Sequence, residues 1–174
     1  EVLSGYYATE KLDGQSVTFF KKDGVFGVCS RNLEIAEGDT TQWRMAKKYD
    51  LENKLSDNIA IQCELIGEGI QSNRLLQGGQ DIYCFNVYNI MGGNYLGYYE
   101  FKRYCDSIGV KTVPVIDENF ALPNTVEEVL KFAEGKSLLN PECEREGVVI
   151  RPKVETMFKG QRLSFKAISN AYLL

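Results

Sequence analysis

The run Thr9-Glu10-Lys11-Leu12-Asp13-Gly14 sets an amine two residues ahead of a carboxylate and then a glycine. At the end of a strand that spacing can place a nucleophilic nitrogen and a metal-seeking oxygen beside one site, as covalent catalysis by lysine requires. Taken alone, the run reads better as an exposed hairpin lysine with a turn aspartate. The rest of the inventory narrows the chemistry. The chain contains no histidine, which excludes Ser-His-Asp and Cys-His nucleophile pairs and removes the commonest ligand of catalytic zinc. Lysine, carboxylates, arginine or a bare thiol remain. The five cysteines, Cys29, Cys63, Cys84, Cys105 and Cys143, are odd in number and form no C-x-x-C pair. Several lie in apolar surroundings, as in Tyr83-Cys84-Phe85. They read as reduced structural thiols, which implies an intracellular protein, cytoplasmic or nuclear.

Two glycine-rich runs imitate phosphate loops and fail. Gly135-Lys136-Ser137 ends like a Walker loop, but Leu130 stands where the first glycine is required and a helical pattern precedes it. Gly67-Glu68-Gly69-Ile70-Gln71-Ser72 follows a strand, yet has serine at the third glycine and no helical pattern after it. Charge is more informative. The chain carries net charge −4, but Arg145 to Lys166 holds six basic residues against two acidic ones, net +4, leaving −8 elsewhere. A basic stripe on an acidic body suits a local phosphate site, although a solvated strand pair would look the same. No apolar run approaches the roughly 20 residues needed to span a bilayer, so no membrane partner is expected.

The elements that must position these groups are mostly strands. Strands are predicted at Tyr6 to Lys11 and Ser16 to Lys21, with a hairpin-like connection at Leu12 to Gln15. Val25 to Ser30 follows the Lys22-Asp23-Gly24 turn. Ile59 to Ile66 and Ile82 to Ile90 are long mixed runs, and Gly92-Gly93-Asn94 turns the second into Tyr95 and Leu96. Thr112 to Ile116, Gly147 to Arg151 and Leu163 to Ile168 complete the set. Three helices are expected: Thr41 to Leu55, Tyr98 to Ile108 stopped by Gly109, and one capped by Thr125 that ends at Gly135. Strands interspersed with helices without regular alternation argue for an α+β fold with largely antiparallel sheets flanked by helices.

The lysine run keeps company in a fixed order. Ser30-Arg31-Asn32 closes the third strand, Glu64-Leu65-Ile66-Gly67 ends the central one, and Phe85 sits in the next. Glu146-Gly147-Val148-Val149-Ile150-Arg151-Pro152 and Ser164-Phe165-Lys166-Ala167-Ile168-Ser169 follow. The series resembles motifs I, Ia, III, IIIa, IV and V of the covalent nucleotidyltransferase superfamily of DNA ligases, RNA ligases and mRNA capping enzymes. It covers nearly the whole chain. Arg145 to Pro152 and Phe165 to Asn170 look most like the nick-sealing ATP-dependent RNA ligases whose OB domain precedes the transferase domain. The resemblance implies a nucleotidyltransferase (ligase adenylation, ATP-grasp-like) fold and a single adenylation domain over residues 1–174. With Lys11 so near the start, it also implies a fragment lacking an amino-terminal OB domain.

The same resemblance implies ATP, Mg²⁺ or Mn²⁺, and RNA (a nicked duplex or RNA ends) as ligands. Lys11 would take AMP from ATP, pass it to an RNA 5′-phosphate, and release it when a 3′-OH attacks. Asp13, Glu64 and Glu146 would hold the metal directly or through its waters, since hard oxygens suit such ions. Phe85 would stack on adenine and Glu10 would border its edge, partly through its backbone. Glu64 would also accept from the ribose. Arg31 would contact a phosphate or the 3′ terminus, and Lys166 would stabilise charge on the α-phosphate. A lysine amine with a reference pKa of about 10.4 must lose its proton to attack; a carboxylate neighbour alone opposes that, so a cation between them is needed on electrostatic grounds. The sequence departs from the pattern at Ser164, where many relatives are basic, and at Ser16, where some carry asparagine; Arg151 and Lys153 are candidates for the missing charge. The alternatives are a DNA ligase or a capping transferase, or a non-catalytic RNA- or nucleotide-binding relative. The oligomeric state is not legible, and a monomer is the favoured expectation.

Overall fold

In the computed structural model, which describes residues 5–174, two antiparallel sheets face each other and each carries helices on its outer side. The first sheet has five strands in the order β3-β2-β4-β5-β6: β2 (Gln15–Lys22), β3 (Val25–Cys29), β4 (Ile59–Gly67), β5 (Gln80–Asn89) and β6 (Asn94–Tyr95). The second has four, β11-β8-β1-β7: β1 (Tyr6–Lys11), β7 (Val115–Phe120), β8 (Gly147–Pro152) and β11 (Phe165–Ile168). A separate short hairpin joins β9 (Met157–Phe158) to β10 (Gln161–Arg162).

Period-2 alternation assigns the faces. Val17, Phe19, Ile61, Cys63, Leu65 and Val87 form the outer face of the five-stranded sheet, packed by α1 (Thr41–Lys48), α2 (Leu51–Lys54) and α3 (Tyr98–Ile108) through Trp43, Met45, Leu51, Phe101 and Cys105. Tyr6, Ala8, Val148, Ile150 and Ala167 form the outer face of the other sheet, packed by α4 (Val126–Ala133) through Val129, Phe132 and Ala133. The intervening residues line a cleft between the sheets, closed at one end by Leu12, Ile66, Leu75, Tyr83 and Val113. A last short helix, α5 (Asn170–Leu173), is capped by Ser169.

Four expectations need correction. Leu12 to Gln15 is no hairpin: β1 pairs with β7 and β8 while β2 pairs with β3 and β4, so the chain crosses from one sheet to the other. The sterics of Gly14 allow the crossing, because a Cβ there would lie 2.1 Å from the Leu65 carbonyl oxygen. The helix from Thr41 to Leu55 is broken at Asp50, which adopts the left-handed conformation at φ 51°. The strand expected at Thr112 to Ile116 begins at Val115 and runs into the charged segment Asp117-Glu118-Asn119; as an edge strand it needs no apolar alternation on both sides. Finally α5 and the β9–β10 hairpin add elements too short to register as periodic. The helices at Tyr98 and Thr125 fall where expected, and the Thr125 hydroxyl accepts from the Glu128 N–H.

Candidate active site

The cleft contains a pocket lined by Thr9, Glu10, Lys11, Leu12, Glu64, Phe85, Val113, Val149, Arg151 and Lys166. Register explains the assembly. Thr9, Val149 and Lys166 lie side by side across β1, β8 and β11, so one row of one face supplies Thr9, a flat apolar wall and a cation. Lys11 is one step further along that face, opposite Gly147. Its Nζ donates to Glu146 Oε2 at 3.0 Å, and both side chains are largely covered.

Glu64 comes from the opposing sheet. One of its oxygens accepts from the Gly14 N–H at 3.0 Å, so the crossing segment that follows Lys11 is tied to the central strand. Burial pushes the Glu64 carboxyl up to about 7; Lys11 and the Gly14 N–H pull it down, and the negative charges of Glu146 and Asp13 add to the rise. Three carboxylates are therefore near enough to repel one another.

Phe85 owes its aim to a β-bulge. Gln62 faces Asn86 and Cys63 faces Cys84, so Phe85 is the extra residue on β5. There Cys84 also bonds the connecting segment: its N–H donates to Lys111 O and its carbonyl accepts from the Val113 N–H. The Phe85 carbonyl accepts from Arg151 Nη1 at 2.9 Å, and the same nitrogen donates to Asn86 Oδ1 at 2.8 Å. Arg151 Nε donates to Ser164 Oγ at 3.2 Å. The guanidinium thus lies beside the serine that stands where a basic residue was expected. Lys153 instead points to Asn119 and is not in the pocket.

Glu10 lines the pocket but is 1% exposed, with one carboxylate oxygen accepting from the Leu138 N–H at 3.0 Å. The other oxygen, Oε1, is buried with no partner among the described residues. Burial pushes this carboxyl up, against hydrogen bonds from Ser137 and Leu138 and the charge of Arg145. Arg145 itself caps the carboxy end of α4, donating to the carbonyls of Phe132, Ala133 and Glu134.

The sequence missed several participants. Asp13 does not line the pocket; its carboxylate accepts from the Tyr172 hydroxyl of α5, and the Arg74 guanidinium lies 4.0 Å over the Tyr172 ring. Arg31 is likewise outside the pocket, on the exposed turn after β3. Arg151, Val149 and Val113 are in it, and Asn86 stands behind it. Only Arg151 had a signal, the shortage of positive charge at Ser164. The three carboxylates named as metal ligands do not form a closed cage, because no group of three such side chains among the described residues is arranged to hold an ion by itself. The donor set nevertheless suits a hard cation that keeps several waters: all oxygen, with a mutual repulsion that a cation would relieve. Among the described residues no helix is long and apolar enough to cross a membrane.

A family model described as RNA ligase matches residues 5–168. Solved structures of Naegleria gruberi RNA ligase are similar over 98% of this chain and 51% of theirs. A mutant with ATP and Mn, another with AMP and Mn, and the protein with PPi each show 38% identity and a TM-score of 0.87. The chain spans about half the length of those structures. No curated protein matches it. The α+β architecture of paired antiparallel sheets flanked by helices is that of the nucleotidyltransferase part of an RNA ligase, and the chain belongs to the RNA ligase family.

Proposed function

We propose that residues 1–174 form the nucleotidyltransferase core of an ATP-dependent RNA ligase that becomes adenylylated on Lys11. The observation that carries this is convergence. Lys11, Lys166 and Arg151 from one sheet and Glu64 and Phe85 from the other line one pocket, and Glu146 holds the Lys11 nitrogen at 3.0 Å. Phe85 and Val149 come from facing sheets and supply apolar surfaces for a flat base. Glu10 lines the same pocket and is proposed to border the adenine edge, in part through its backbone.

Lys11, once its proton has passed to solvent by way of Glu146, attacks the α-phosphorus of ATP. A nitrogen–phosphorus bond forms, and the bond to the β-phosphate oxygen breaks, with pyrophosphate leaving on the electron pair. Lys166 places positive charge at the phosphate. An RNA 5′-phosphate oxygen then displaces Lys11, and a 3′-OH displaces AMP to form the phosphodiester. Glu64, Glu146 and Asp13, the last oriented by the Tyr172 hydroxyl, would hold Mg²⁺ or Mn²⁺ directly or through its waters. When bound, the ion supplies Lewis acidity and shields the Lys11 amine from the carboxylates that otherwise stabilise its charged form. Arg31, on the exposed turn after β3, is proposed to contact a phosphate or the RNA 3′ terminus. The phrases Arg145 to Pro152 and Phe165 to Asn170 support assignment to the nick-sealing branch, in which an OB domain precedes this one.

Incubation with ATP or GTP and Mn²⁺, followed by intact-mass measurement, tests the reading. The expected result is gain of one AMP from ATP, abolished in Lys11→Ala. Sealing of pre-adenylated RNA should exceed sealing of the DNA counterpart. Labelling by GTP alone, or an AMP adduct that survives Lys11→Ala, overturns it.

A further inference from the structure

The cleft does not end at the nucleotide pocket. Asn86, Gln62, Arg151 and Arg162 form a partition across it: Asn86 Oδ1 accepts from both arginines and its amide nitrogen donates to Gln62 Oε1 at 2.7 Å. Beyond lies a second chamber of about 910 Å³, against about 110 Å³ for the nucleotide pocket. Its floor is the same inner face of the five-stranded sheet. Along β4 that face passes from Glu64 in the pocket to Gln62 and Ala60 in the chamber, and along β5 from Phe85 to Tyr88. Its other wall is the β9–β10 hairpin.

The chamber's chemistry is uncharged. Its two charged groups are spent on each other, Arg162 Nε and Nη2 binding the two oxygens of Glu155, while the guanidinium carbon lies 4.0 Å from the centre of the Tyr95 ring. Tyr88 packs edge-on against Tyr95. Hydroxyl and amide groups of Thr18, Gln62, Asn94 and Gln161 complete the lining. Stacked aromatic and guanidinium planes with neutral donors and acceptors recognise nucleobases, not phosphates. Outside the chamber the same hairpin exposes Phe158 and Lys159, a ring and a cation that suit a strand leaving it. We propose that this chamber receives an unpaired base of the RNA strand being joined, as a subsite continuous with the nucleotide pocket but separate from it. The inference rests on the ligase reading and names where that substrate is held.

Met157 and Gln161 line the chamber and touch none of the nucleotide-pocket residues named above, so M157A/Q161A and the space-filling A60W test it in the intact chain. Binding of a short fluorescent single-stranded RNA is measured by anisotropy at low and high salt, beside intact-mass measurement of lysyl-AMP and a urea melt to confirm folding. The expected result is RNA binding weakened on the order of tenfold by the same factor at both salt concentrations, with unchanged AMP gain. Unchanged RNA affinity in folded variants that still take AMP overturns the inference and leaves the ligase reading intact. A loss confined to low salt shows a phosphate contact and also overturns it. Failure of the unaltered chain to form lysyl-AMP counts against the ligase reading instead.

Discussion

Tyr172 shows how far a site can extend past the residues that announce it. Lys11, Glu64, Phe85 and Lys166 were legible because each sits in a strand within a recognisable phrase, and alternation then turns Lys11, Glu64 and Lys166 inward. Nothing near Tyr172 marks it, since its role depends on a partner 159 positions away. By donating to Asp13 it leaves that carboxylate one oriented oxygen, and the Arg74 guanidinium over its ring holds the phenol in place. Groups that orient a metal-holding carboxylate typically govern affinity more than folding. Tyr172→Phe should therefore raise the Mn²⁺ concentration needed for half-maximal adenylylation by about tenfold, with the rate at saturating metal changed less. An identical metal titration for the two proteins would remove Tyr172 from the site.

At the scale of elements, the sequence marked where strands lie but not which of them pair. The crossing at Leu12 to Gln15 has the length and turn residues of a hairpin; what replaces one is the pairing of β1 with β7 and β8 and of β2 with β3 and β4, with Gly14 too close to the Leu65 carbonyl to admit a side chain. The bulge on β5 was equally hidden. An extra residue leaves the apolar pattern of Ile82 to Ile90 intact on paper, and only the partner strand reveals it. That bulge turns Phe85 into the cleft, and Arg151 fixes it there through the Phe85 carbonyl and the Asn86 side chain. A lysine keeps the charge but lacks the planar fork that serves both acceptors and Ser164 together. Arg151→Lys should raise KM for ATP in self-adenylylation by roughly tenfold, with a smaller change in kcat. Equal loss in kcat with constant KM would show instead that Arg151 acts on the reacting phosphate.

For the molecule as a whole, one carboxylate joins parts of the chain that the cleft does not. Asp81, near the start of β5, accepts from Lys111 at 2.7 Å and from the Tyr49 hydroxyl, and Lys48 lies within 3.5 Å. It therefore fastens the break between α1 and α2, and the segment leading to β7, onto the central sheet. Burial pushes the Asp81 carboxyl up, but the hydrogen bonds from Lys111, Tyr49 and the Ile82 N–H outweigh it and hold the group below the ordinary carboxylate range. A carboxyl with a depressed folded-state pKa binds fewer protons folded than unfolded. Its stabilisation is complete above the unfolded value and is lost as pH falls through the folded one. Asp81→Asn should then lower the urea midpoint at about pH 7, with the gap to the unaltered protein closing towards about pH 3, below the reference aspartate value. If the gap stays constant across that range, the asparagine has lost packing or hydrogen-bond geometry and not a charge. The break at Asp50 would then be held by Tyr49 and the apolar contacts of Leu51 and Leu55 alone.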